Sequence, residues 1–125
     1  MKEITYSEAL ELANTYKDKD KVTLIMFKDE HCPYCNDFIP NVMEVMENDF
    51  ANDIDFYIVP DAKENPFPPT TTPVTYIYVP GKCTNKMPLL RPGAADIFNV
   101  SSDLRRVVDS KNNGLDLDEP RTPLF

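Results

Sequence analysis

Val22-Thr23-Leu24-Ile25-Met26-Phe27-Lys28-Asp29-Glu30-His31-Cys32-Pro33-Tyr34-Cys35 is the most informative passage of this chain. Its first six residues are apolar apart from Thr23, the pattern of a strand covered on both faces. A polar stretch follows, and then two cysteines with two residues between them. A pair at that spacing can close a disulfide within one helical turn and reopen it, so Cys-x-x-Cys is either a redox device or half of a metal clip. Beyond the motif, Phe38, Val42, Val45 and Met46 fall on one helical face between residues 34 and 49. A buried strand that delivers Cys-x-x-Cys to the start of a helix favours redox chemistry. Pro40 lies inside the helical run, and the apolar period continues past it, which predicts a kink rather than a stop.

The rest of the composition narrows the alternatives. The chain has three cysteines, two in the motif and Cys83 far away, so it is not a disulfide scaffold. A zinc ribbon needs a second ligand pair, and His31 and Cys83 are single residues, which argues against a metal site. Thirteen Lys and Arg against twenty-one Asp and Glu give a formal net charge of −8, against non-specific nucleic-acid binding. No apolar stretch approaches the ~18 residues of a membrane span, and the polar N-terminus has no secretion-signal core. The expectation is a soluble, cytoplasmic, monomeric protein without a membrane or nucleic-acid partner. Its 125 residues suit one domain with a sizeable core.

Outward from the motif, Thr5 with Glu8 forms a capping-box signature. Ala9, Leu10, Leu12, Ala13 and Tyr16 then supply the apolar stripe of a helix over residues 6–17. A brief strand at Glu3 to Thr5 is a weaker expectation. Ile54 to Val59 reads as a second buried strand, and the run from Pro60 to Pro73, with five prolines, as a loop. Val74 to Val79 predicts a third strand, turned by Pro80-Gly81 and paired with a short return at Met87 to Leu90. Ser101 or Ser102 would cap a last helix, with Leu104, Val107 and Val108 toward the core and an end near Asn113-Gly114. Residues 1–112 form the expected domain, and 113–125 a Pro-containing C-terminal tail. The first half has βαβ character, and the second is an antiparallel hairpin with a covering helix.

Over roughly residues 2–110 this layout resembles the thioredoxin-like superfamily. The resemblance rests on Cys32-Pro33-Tyr34-Cys35 at a strand-to-helix junction and on Pro40, where thioredoxins have a helix-kinking proline. It rests also on Thr72-Pro73 ahead of a strand, where the family has its cis-proline, and on Gly93-Ala94 before the terminal helix. Asp61 echoes a further thioredoxin position. The tetrapeptide itself is similar to that of dithiol glutaredoxins, whereas the frame is thioredoxin-like. Met26 replaces the buried Asp that thioredoxins carry, and Tyr57 stands where its Lys partner would lie. The resemblance implies an α/β fold with a central mixed four- to five-stranded sheet and helices on both faces.

What the resemblance implies chemically is a dithiol–disulfide oxidoreductase acting on protein disulfides, with Cys32 as nucleophile and Cys35 as resolving thiol. Pro33, Tyr34, Thr72 and Pro73 would shape the motif and meet substrate. Lys28 and His31 would tune Cys32, opposed by Asp29, Glu30 and Asp37, so its pKa should lie moderately below that of free Cys. No bound cofactor is expected beyond the redox-active Cys32–Cys35 disulfide. Thioredoxin reductase or glutathione would supply electrons, and the glutaredoxin-type tetrapeptide suggests a potential of roughly −200 to −230 mV. A glutathione-dependent glutaredoxin is the alternative within the class. A thioredoxin-fold binding or accessory module, contacting partners through the Pro-rich loop or the tail, is the alternative outside it. Cys83 reads as a bystander thiol.

Overall fold

Every residue of Val22–Phe27 is buried: neighbouring strands pair with both of its edges, and an apolar layer covers each face of the sheet. The computed structural model describes residues 1–29, 32–60, 73–80, 89–92 and 94–113. Among these residues the sheet has five strands: β1 (Lys2–Glu3), β2 (Val22–Phe27), β3 (Ile54–Val59), β4 (Val74–Tyr78) and β5 (Leu89–Pro92). Their order across the sheet is β1-β3-β2-β4-β5. β1 and β2 run parallel to β3, while β4 runs antiparallel to both β2 and β5. The mixed sheet expected from the sequence is therefore present.

Helices cover both faces. Helix α1 (Tyr6–Thr15) begins with the anticipated capping box: Glu8 N–H donates to Thr5 Oγ1 and Thr5 N–H donates to Glu8 Oε1, each at 3.1 Å. Its Ala9, Leu12 and Ala13 pack on Ile25, Phe27, Val59 and Val74. Leu10, expected in the same stripe, is exposed instead. On the opposite face the helical stretch from Cys35 to Asp49 and helix α4 (Ile97–Asn113) meet Leu24, Met26, Phe56, Ile58 and Ile77. Alternation along each strand sorts its residues between the two layers.

Several expectations need correction. Thr5 caps α1, so the first strand is Lys2–Glu3 rather than Glu3 to Thr5. Among the described residues the returning strand is Leu89–Pro92, which runs past the expected end at Leu90, with Leu89 opposite Ile77 and Pro92 opposite Val74; Met87 and Pro88 lie outside the described residues. A proline is tolerated there because β5 is an edge strand. α4 starts at Ile97, not after Ser101 or Ser102: Asp96 accepts from the Asn99 backbone N–H at 2.9 Å and so takes the capping role. Leu104, Val107 and Val108 are buried as expected.

The helix after the motif departs most from simple periodicity. It comprises α2 (Cys35–Phe38), one wide π turn (Ile39–Met43) and α3 (Glu44–Asp49). Pro40 has no N–H for the α-helical ladder, and Glu44 N–H instead reaches back to Ile39 C=O, five residues away. The extra residue rotates everything beyond it. Met43 and Met46 therefore face the core, and Val45, expected there, turns outward at 38 % exposure. Pro40 lies in this widened turn, and the helix continues past it, as its apolar period predicts.

Candidate functional site

The end of β2 sets the position of the cysteines. Phe27 is its last residue, and Lys28 N–H still donates to Val59 C=O at 3.1 Å, so the ladder with β3 continues one residue further. Strand β2 ends there, and Cys32 is the first described residue of the motif that follows. Cys35 N–H donates to Cys32 C=O and Phe38 N–H to Tyr34 C=O, both at 3.1 Å, which makes Pro33 and Tyr34 the turn that opens the helix. Pro33 suits that place because its missing N–H would have had no helical partner.

Cys32 and Cys35 form a disulfide, with sulfurs 2.08 Å and Cα atoms 5.3 Å apart. Both pack against the core, Cys32 at 8 % exposure and Cys35 at 2 %. Tyr34 between them is 69 % exposed and projects from the surface. Beside the disulfide lies an open groove of about 510 Å³ whose walls include Pro33, Tyr34, Phe38, Val42 and Ala95. Asp37 and Asn41 place a carboxylate and an amide on one wall.

Pro73 is buried and immediately precedes β4, whose first residue Val74 is in register with Phe27. The structure thus brings Pro73 to the same end of the sheet as the disulfide. Lys28 is half-buried at the end of β2. His31, Glu30, Asp61, Thr72, Cys83 and Gly93 lie outside the described residues, as do 61–72 and the tail beyond 113. Among the described residues no cluster of three or more His, Cys, Asp or Glu could hold a metal ion. No helix among them is long and apolar enough to cross a membrane.

Behind the disulfide, Met26 is fully buried on the face that carries both cysteines. Tyr57 does not face it. The β3 residue in register with Met26 is Ile58, while Tyr57 pairs with Ile25 and packs toward α1. Positional analogy placed the two side chains together; the alternation of β3 separates them. Burial and the nearby Asp55 carboxylate raise the Tyr57 pKa, an effect confined to the α1 side.

One residue of this region escaped the sequence reading. Thr75 in β4 is 1 % exposed, and its hydroxyl oxygen has no hydrogen-bond partner. An unsatisfied buried polar group costs about 1–3 kcal/mol. Its signal was available in the sequence: two-residue alternation puts positions 75, 77 and 79 on one face, and only the first is polar.

Comparison with solved structures bears directly on this architecture. Chloroplastic thioredoxin z superposes with a TM-score of 0.67 at 17 % identity, over 86 % of this chain and 93 % of that one. A thioredoxin from Thermus thermophilus gives 0.65 at 19 % identity, over 89 % of each chain. Fasciola hepatica thioredoxin gives 0.63 at 16 % identity, over 85 % of this chain and 98 % of that one. The fold is the thioredoxin fold. No family model matches the sequence, and no curated protein matches it either. In this thioredoxin-fold chain a Cys-x-x-Cys disulfide stands where β2 hands over to a helix, an arrangement able to exchange disulfides with an incoming thiol.

Proposed function

We propose that the chain is a thiol–disulfide oxidoreductase that reduces or exchanges protein disulfides through Cys32 and Cys35. The supporting observation is the disulfide itself, set at the strand-to-helix junction of a thioredoxin fold, with Pro33 and Tyr34 between its cysteines lining an open groove. In the reduced pair, Cys32 is the attacking thiolate, favoured by the backbone N–H groups and positive end of the helix that follows. It forms a bond to one substrate sulfur while the substrate disulfide breaks, and the other sulfur leaves with the electron pair and takes up a proton. Cys35 then attacks Cys32, closing the intramolecular disulfide and releasing the second substrate thiol. Tyr34 and the groove contact the polypeptide around the target disulfide, and Pro73 borders the same site.

Thioredoxin reductase is the proposed electron donor, and insulin reduction coupled to it is the direct test. Turnover that disappears in Cys32→Ser is the expected result; insulin reduction that survives this substitution overturns the assignment. The Cys-Pro-Tyr-Cys tetrapeptide favours a second reading, glutathione-dependent reduction of glutathione-mixed disulfides. A Cys35→Ser variant with full activity in that assay would select it, because monothiol chemistry needs the outer sulfur alone.

A further inference from the structure

Thr75 is the second residue of β4, at the end of the sheet where β2 gives way to the cysteine motif. It is in register with Met26, and its neighbour Val74 with Phe27, the last residue of β2 before the chain departs toward Cys32. Ile77 and Val79 enter the layer that holds Cys32 and Cys35, while Val74 and Tyr78 enter the opposite layer. Alternation therefore puts Thr75 on the cysteine-bearing face, beside Met26. Its Oγ1 is the one buried side-chain nitrogen or oxygen without a hydrogen-bond partner among the described residues.

The resolving step makes a demand that this face otherwise leaves unmet. Cys35 must form a thiolate at 2 % exposure, packed in a layer with Met26, Phe38, Val42 and Ile77. Burial in apolar surroundings pushes a thiol's pKa up and slows attack at neutral pH. A hydrogen-bond donor aimed at the sulfur offsets that penalty, because a bond to the charged form favours it. Among the described residues the other buried polar side chains are Thr23 and Ser110. Thr23 alternates with Leu24 and Met26 and so faces α1, and Ser110 lies near the C-terminal end of α4.

We infer that Thr75 is a positioning residue for the resolving cysteine, its Oγ1–H donating, directly or through one water, to the Cys35 sulfur in the reduced pair. The inference rests on the exchange reading above. In that step the Cys35 thiolate attacks Cys32 within the mixed disulfide. The Cys35–Cys32 bond forms, the bond from Cys32 to the substrate sulfur breaks, and the substrate sulfur leaves with the electron pair. It takes up the proton that Cys35 gave up; the hydroxyl is unchanged. In the oxidised pair the hydroxyl has no partner, neither cysteine sulfur included, so the bond forms only once the pair has opened. Relief of that unmet bond on reduction makes the pair more oxidising.

The test follows thionitrobenzoate release from reduced protein mixed with 5,5′-dithiobis(2-nitrobenzoate), in a Cys83→Ser background. The first equivalent reports attack by Cys32 and the second reports resolution by Cys35. In Thr75→Val the second phase should slow about tenfold at pH 7, with its pH midpoint moved about one unit alkaline. Its equilibrium with glutathione should shift by a similar factor toward the oxidised form, about 30 mV more negative. Thr75→Ser should restore all of these, and Thr75→Ala serves if the valine variant fails to fold. A Thr75→Val midpoint and potential equal to the parent's overturn the proposal, whatever happens to the melting temperature. A parent protein that never releases a second equivalent overturns the exchange reading itself, and the Thr75 role with it.

Discussion

Tyr78 packs its ring 5.2 Å from that of Tyr16 beneath α1, on the side of the sheet away from the disulfide. Burial, and after it the neighbouring phenols of Tyr76, Tyr16 and Tyr6, push its pKa up to about 12 from 10.0. Below pH 10 the phenol is neutral in the folded and unfolded chain alike, and its packing contributes fully. As pH rises from 10 toward 12 the unfolded chain gives up the proton while the folded chain keeps it, so stability falls, by roughly 3 kcal/mol at most. Chemical denaturation between pH 9 and 12 should therefore show a shallower decline for Tyr78→Phe than for the parent. Parallel declines would mean that Tyr78 does not titrate abnormally. This effect belongs to the far layer, on the face of the sheet opposite the disulfide.

At the scale of elements, the wide turn at Pro40 sets which side chains of the long helix enter the core. Met43→Ala should cost about 2–5 kcal/mol, as for a fully buried side chain, whereas Val45→Ala should stay within about 0.5 kcal/mol. Equal losses in urea titrations would show that the helix keeps a uniform α period. The same turn marks a limit of what the sequence makes legible. Strands β2 and β3 were readable to the residue: β2 is apolar apart from Thr23 and bounded by Lys21 and Lys28, and β3 is apolar apart from Asp55 and bounded by Asp53 and Pro60. The motif and its strand-to-helix setting were equally plain. Proline announced an irregularity, but its local signature does not say whether a residue is inserted, and that insertion decides which side chains beyond it face the core. The start of α4 was misplaced for a related reason: Asp96, Ser101 and Ser102 are all competent caps, and burial of Val100 against the core favours the earliest. Thr75 was overlooked because one hydroxyl in a β-branched run looks like ordinary strand composition.

For the molecule as a whole, the disulfide closes a very short loop, between positions three apart in sequence. Loop-closure entropy for such a ring contributes only about 2 kcal/mol, small beside what two packed layers supply. Reduction should thus lower the unfolding free energy by about that amount and leave the far-ultraviolet spectrum folded. A chain that unfolds on reduction at 25 °C would make the pair a structural staple and remove the basis for turnover. The two layers are continuous with the site: Met26, Ile77 and Val79 belong at once to the core and to the floor beneath the cysteines. A protein that must open and close this bond repeatedly needs a scaffold indifferent to its state, and a core on both faces of one sheet provides it.

The position of β2 also has a consequence for how the chain is made. Its residues 22–27 pair on one side with 54–59 and on the other with 74–78. A nascent polypeptide emerging from the ribosome thus exposes its most apolar strand, cysteines following close behind, long before either neighbour is available. Closure of these distant pairings is entropically slow compared with local helix formation. During synthesis the two thiols are consequently open to outside oxidants and to each other before the sheet that flanks them is complete.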